Sequence, residues 1–233
     1  MFYYFLLANL KYNDQYSEIM DKTPCEYIVW NVLPIIRKEF AKSMMRNHGL
    51  NQKEVAEILE LTPSAVSQYL SNKRGAIDIT DNQILNEINQ SVKNIIQKTN
   101  ALPTETCRIC TILKTKNLAS INEGYCKSCE ISCETAVWEI LPVIRKEFAK
   151  NLIKFHKFNQ KKVSKVLGIS EAAVSRYISR KRGNIEITDN KILKEIKKSS
   201  NLIAKGNGKT AFEETCRICT ILKSGKSKLG IKR

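Results

Sequence analysis

With 233 residues, the chain has room for two domains of roughly 100 residues each. Charged residues make up 27% and aromatics 7%, a soluble globular composition that excludes a membrane-embedded protein. The net charge of +16 is lopsided: residues 132–233 hold 24 Lys and Arg against 9 Asp and Glu, and residues 20–131 hold 14 against 12, so the second half attracts polyanions such as DNA, RNA or an anionic membrane surface.

The opening run MFYYFLLANL is apolar, but it lacks a basic flank and is too short to span a bilayer. Residues 1–19 read as an extension or an upstream-start artefact ahead of Met20. Without an export signal the expected compartment is the reducing cytoplasm, where thiols point to metal or redox chemistry rather than to disulfides.

From Met20 onward the chain is an internal duplication. VWNVLPIIRKEFAK at 29–42 returns as VWEILPVIRKEFAK at 137–150, and ETCRICTILK at 105–114 returns unchanged at 214–223. An offset of 108 to 109 residues makes each copy a whole domain, 20–131 and 132–233. The first long helix of each copy puts Leu33, Ile36, Phe40 and Met44, or Leu141, Ile144, Phe148 and Leu152, on one face. Pro34 and Pro142 must lie in a first turn or mark a kink. Two short helices follow, then a last helix from near Thr80 and Thr188 with Ile84, Ile88, Val92 and Ile95 as its stripe; Thr80 with Gln83 fits a capping box. Only GAIDIT (75–80) and GNIEIT (183–188) suggest sheet, so the expected class is all-α. Trp30 and Trp138 read as core anchors, and His48 and His156 as helix-end residues.

The segments NQKEVAEILELTPSAVSQYL (51–70) and NQKKVSKVLGISEAAVSRYI (159–178) meet the demands of a helix-turn-helix in order. Val55 and Leu59, or Val163 and Leu167, point inward. Ala56 and Ser164 are small where two helices approach, Leu61 and Ile169 plug the corner, and Thr62 and Ser170 cap the second helix. Val66 and Leu70, or Val174 and Ile178, anchor that helix. The turn residue is Gly168 in one copy and Glu60 in the other, where a positive φ is expected at some loss of stability.

These runs resemble the Xre/Cro, lambda-repressor-like family of DNA-binding domains. The resemblance implies two tandem helix-turn-helix bundles on double-stranded DNA, acting as a homodimer or an intramolecular pseudo-dimer. By position it gives Gln52 and Gln160 to a phosphate or to bracing the reading helix. Ser64, Ser67 and Gln68, and Ala172, Ser175 and Arg176, would face base edges. Lys73 and Arg74, and Arg180, Lys181 and Arg182, would hold phosphates.

Cys107-x2-Cys110-x15-Cys126-x2-Cys129 matches a four-thiolate zinc spacing, in which one tight turn offers two thiols to one ion. Cys216-x2-Cys219 repeats the first pair, and Cys133 repeats Cys25. Two groupings stay open: a closed Cys107/Cys110/Cys126/Cys129 knuckle, or two clusters. In the second grouping Cys25 joins Cys107 and Cys110, Cys133 joins Cys216 and Cys219, and Cys126 and Cys129 divide between them. With its Pro24-Cys25-Glu26 start, its Leu33–Lys42 helix and its terminal C-x-x-C, the unit also resembles small predicted archaeal helix-turn-helix regulators. That likeness implies a structural or sensory zinc or iron–sulfur site. The leading expectation is a transcriptional regulator. An antitoxin-like DNA- and protein-binding module and an iron–sulfur redox protein are the alternatives. No phosphate loop, acid–base constellation or nucleophile–base pair marks an enzyme.

Overall fold

The computed structural model describes residues 23–98, 100–116, 132–183, 185–206, 208–223 and 231–232. Among them, 27–116 form one compact unit; the other unit takes in 132–232 together with the leading residues 23–26. Both units are all-α. The described strand pairing is a two-residue antiparallel bridge, β1 (Glu186–Ile187) on β2 (Ile231–Lys232); residues 75–80 hold no strand.

In the first copy a short helix, α1 (Pro24–Tyr27), leads through a π turn (Ile28–Val32) into α2 (Leu33–His48). The π turn explains how a proline is tolerated here. Leu33 N–H reaches back five residues to Ile28 C=O, and the wider turn carries the chain past Pro34, which has no N–H to give. After α2 come α3 (Gln52–Ile58), α4 (Pro63–Leu70), α5 (Asn82–Gln97) and α6 (Leu102–Thr115). The central helix is α2, and α3, α4, α5 and α6 all pack on it. Its predicted stripe of Leu33, Ile36, Phe40 and Met44 is buried, and so is the Ile84, Ile88, Val92 and Ile95 stripe of α5.

The second copy repeats the plan with α7 (Cys133–Thr135), a π turn (Ala136–Ile140), α8 (Leu141–His156), α9 (Gln160–Leu167), α10 (Glu171–Ile178), α11 (Asn190–Lys205) and α12 (Gly208–Lys223). Leu141, Ile144, Phe148 and Leu152 are buried on α8.

Three expectations change. Trp30 and Trp138 are not core anchors: they ride on the π turns with 54% and 53% of their surface exposed. The long helix after the two short ones starts one residue later than expected, because Asp81 and Asp189 take the cap instead of Thr80 and Thr188. Asp81 Oδ1 accepts from Gln83 N–H at 2.8 Å and Ile84 N–H at 3.2 Å. Finally, ETCRIC lies inside a helix in both copies rather than on a turn.

What the ETCRIC repeat visibly does is dock the last helix. Glu105 accepts from Ser91 Oγ at 2.6 Å, Asn94 Nδ2 at 2.9 Å and Arg108 Nε at 2.9 Å, while Arg108 bridges on to the Glu87 carboxylate and its carbonyl. In the second copy Glu214, Arg217, Ser199 and Glu195 rebuild the same network, and Leu202 replaces Asn94. A buried hydroxyl and carboxylate are tolerated because each has its partner.

Candidate nucleic-acid interface

Each short helix pair is fixed by caps that the sequence states openly. Asn51 and Glu54 form a reciprocal capping box at α3, and Asn159 Oδ1 accepts from Lys162 N–H at 2.8 Å at α9. Gln52 and Gln160 are the first helical residues after these caps, and both are exposed. Ala56 and Ser164 are buried where the helices approach. The turn residues take the left-handed conformation, with φ of 54° at Glu60 and 62° at Gly168. Thr62 Oγ1 and Ser170 Oγ each accept from the N–H three residues on, at 3.2 Å.

The anchors of the second helix differ from expectation. In α4 the buried pair is Val66 and Tyr69, with Leu70 half-buried; in α10 it is Val174 and Tyr177, with Ile178 exposed. An aromatic ring three residues after the valine fills the space assigned to the aliphatic residue at the fourth. The corner residues Leu61 and Ile169 are only half-buried.

This anchoring leaves one face of each helix to solvent. Ser64 and Ser67 are exposed and Gln68 half-buried on α4; Ala172, Ser175 and Arg176 are exposed on α10. The Ser64 hydroxyl lies 3.0 Å from that of Thr62, so it is partly engaged in the cap. Lys73 and Arg74 follow α4, and Arg180, Lys181 and Arg182 follow α10, all exposed. The Arg182 guanidinium rests 5.6 Å from the centre of the Tyr177 ring, so this cation is steadied by the same aromatic that anchors the helix.

The turn after each exposed helix is clamped to the start of the central helix. A Cβ on Gly75 would lie 2.5 Å from the Pro34 carbonyl oxygen, and one on Gly183 would lie 2.9 Å from that of Pro142. Beneath the first turn, buried Lys38 donates to Ile77 C=O at 2.8 Å and to Asp78 Oδ1 at 2.9 Å. Hydrogen bonds from Lys42 and Lys38 hold the Asp78 carboxyl at about 2.

The cysteines divide differently. Cys107 and Cys110 stand one turn apart on α6, the first exposed and the second buried; Cys216 and Cys219 on α12 are both buried. Cys126 and Cys129 lie outside the described residues. Among the described residues no three His, Cys, Asp or Glu side chains stand together as a metal site. Cys133 is half-buried at the start of α7.

Cys25 does not join the unit of Cys107 and Cys110. It is buried with the second copy, where Lys223 Nζ approaches its sulfur at 3.4 Å. Next to it, Arg145 grips Glu26 with both terminal guanidinium nitrogens, Nη1 donating to Oε1 at 2.6 Å and Nη2 to Oε2 at 2.8 Å. Burial opposes ionisation of Glu26, but the Arg145 and Thr23 hydrogen bonds outweigh it and hold the carboxyl below its usual range. His48 and His156 close their helices as expected, with His156 Nε2 3.0 Å from Asn201 Oδ1.

Compared with known proteins, the chain matches no family model, no curated protein and no solved structure. Among the described residues no helix is long and apolar enough to cross a membrane.

Proposed function

We propose that this chain is a sequence-specific, double-stranded DNA-binding transcriptional regulator of the lambda-repressor-like kind, seating α4 and α10 in the major groove. One observation carries the reading. In each copy a capped eight-residue helix is anchored on one side by a buried valine and tyrosine, presents short polar side chains on the other, and runs into exposed cations. A rigid helix with a small polar face suits base-edge contact, and cations just beyond it suit phosphates.

The roles divide accordingly. Gln68 suits adenine and Arg176 suits guanine, each by paired hydrogen bonds, and the Ala172 methyl suits a thymine methyl. Ser64, Ser67 and Ser175 supply single hydroxyl contacts. Gln52, Gln160, Lys73, Arg74, Arg180, Lys181 and Arg182 meet the backbone. Two unlike reading faces in one chain make a covalent pseudo-dimer for an asymmetric site, with half-sites about one helical turn apart. Selection from a random duplex pool followed by footprinting tests this. Two protected half-sites are expected, and a single one would remove the tandem-reader proposal. Arg176→Ala should relax specificity at one base pair and weaken binding by about 1–3 kcal/mol; an equal loss on every duplex would assign the residue to the backbone instead.

The C-x-x-C pairs keep zinc or an iron–sulfur cluster as a proposal. Helices α6 and α12 each supply a pair of thiols, so a closed site would need further ligands, for which Cys126 and Cys129 are the candidates. The DNA contacts above make no use of it. Metal and sulfide analysis of anaerobically purified protein separates colourless zinc protein from a coloured cluster. The exposed Trp30 and Trp138 favour one second reading, an antitoxin-like module that also docks a protein. A stable stoichiometric complex built on those rings, lost in Trp30→Ala and Trp138→Ala, would establish it.

A further inference from the structure

The two copies treat one lysine pair differently, and the difference leaves a site. In the first copy Lys38 and Lys42, one turn apart on α2, both donate to Asp78 Oδ1 at 2.9 Å. Asn72 sits beside them, with its Oδ1 3.5 Å from Lys38 Nζ. An internal carboxylate thus fills the space between two ammonium groups.

In the second copy the lysines return as Lys146 and Lys150, Asp78 becomes Glu186, and Asn72 becomes Arg180. The carboxylate no longer closes the cradle. Among the described residues Glu186 makes no ion pair with either lysine. Lys146 Nζ keeps its bond to the Ile185 carbonyl at 2.7 Å, and both lysines share the single Glu147 carboxylate, at 3.5 and 3.1 Å. A cleft of about 310 Å³ opens there, lined by Lys146, Lys150, Arg180, Gly183 and Glu186. The first copy balances two lysines with Glu39 and Asp78. The second sets three cations against Glu147 and Glu186, an excess of one positive charge.

Burial works against the charge on Lys42, but Asp78 and Glu39 overcome it and raise its pKa. At Lys146 burial, joined by repulsion from Lys150, outweighs the help of Glu147 and Glu186, and its pKa is lowered.

We propose that this cleft binds a phosphate-class oxyanion, held by Lys146, Lys150 and Arg180 where Asp78 stands in the first copy. The inference needs no DNA contact, because the Asp78 carboxylate in the same chain shows what the cradle accepts. A tetrahedral dianion offers oxygens to two ammonium groups and a guanidinium at once, which a single carboxylate on the longer Glu186 arm does not do here.

The test is a calorimetric titration of the full chain with inorganic phosphate at constant ionic strength, with chloride as the control anion. One saturable site is expected. Lys150→Gln should weaken it about tenfold, the loss of one charge-assisted hydrogen bond. Arg180→Asn, which restores the residue of the first copy, should weaken it comparably while leaving the helical circular dichroism unchanged. Lys42→Gln should leave it intact. Absence of saturable binding, or binding indifferent to both Lys150→Gln and Arg180→Asn, overturns the proposal. Repeating the titration on the DNA complex identifies the source. Competition means that the cleft takes a backbone phosphate, and undiminished binding means that it takes a free anion. Failure to find any operator would sink the DNA reading and leave the phosphate titration untouched.

Discussion

Arg145→Ala is expected to destabilise the second unit by roughly 3–5 kcal/mol, the range for stranding one partner of a buried ion pair. The reason is what it leaves behind. Glu26 and Arg145 side chains are each only 13% exposed, and the guanidinium meets the carboxylate through two parallel bonds. Removing the cation strands an ionised carboxylate whose remaining partners are the N–H and hydroxyl of Thr23, at 2.9 and 3.0 Å. The double variant Glu26→Gln/Arg145→Met should recover much of the loss, because neither side chain is then an unpaired buried charge. Chemical denaturation of Arg145→Ala, of the single variants Glu26→Gln and Arg145→Met, and of the double variant checks this; additive losses of the two singles in the double would mean that the pair is not coupled.

The same pair makes an acid limb. The folded carboxyl of Glu26 titrates below its unfolded value of 4.5, so its contribution is complete above about pH 5 and is lost as pH falls through the folded value. Glu26→Gln should flatten that limb relative to wild type.

This pair also marks where sequence reasoning stopped. Pro24-Cys25-Glu26 and the IRKEFAK helix were legible as motifs, but both helices carry the same arginine, Arg37 and Arg145, so nothing local says which copy Glu26 meets. Helix stripes and the Thr62 and Ser170 caps were legible because periodicity and capping are local. The Val66–Tyr69 and Val174–Tyr177 anchors were not. In a helix of two turns, residues three and four after the valine both face inward within the tolerance of a 3.6-residue period, and ring size decided between them. The C-x-x-C signal has the same ambiguity. Two residues between thiols fit a chelating turn, and they equally fit one turn of helix. The Glu105–Ser91–Arg108 network then accounts for the repetition of ETCRIC without reference to the thiols. Trp30 and Trp138 were misread because a large apolar residue at a repeated position looks like core, whereas the π turn beneath each rotates it outward.

Gly75→Ala is expected to cost about 2–5 kcal/mol, and the duplication supplies its own control. Glycine at positive φ answers two separate needs, backbone freedom and empty space. Gly49 ends α2 at φ 67° with nothing within 4 Å of a would-be Cβ, so only the backbone is at stake, at about 1–2 kcal/mol for a non-glycine residue. The second copy places Lys157 there, at φ 57°, and the helix still ends in the same way. Gly75 adds a collision, since its Cβ would stand 2.5 Å from the Pro34 oxygen and 2.8 Å from the carbonyl carbon. Backbone cannot swing aside as a side chain can, and overpacking of this kind adds about 1–3 kcal/mol. Here the second copy keeps glycine, Gly183, under the equivalent proline, Pro142. Gly49→Ala should therefore fall at the low end and Gly75→Ala at the high end in denaturant titrations of otherwise identical protein. Equal losses would mean that the Pro34 contact relaxes without strain. Because this turn carries Lys73 and Arg74 away from the exposed helix, Gly75→Ala should also weaken the proposed DNA binding more than its stability loss alone explains, which a binding titration well below the unfolding midpoint would resolve.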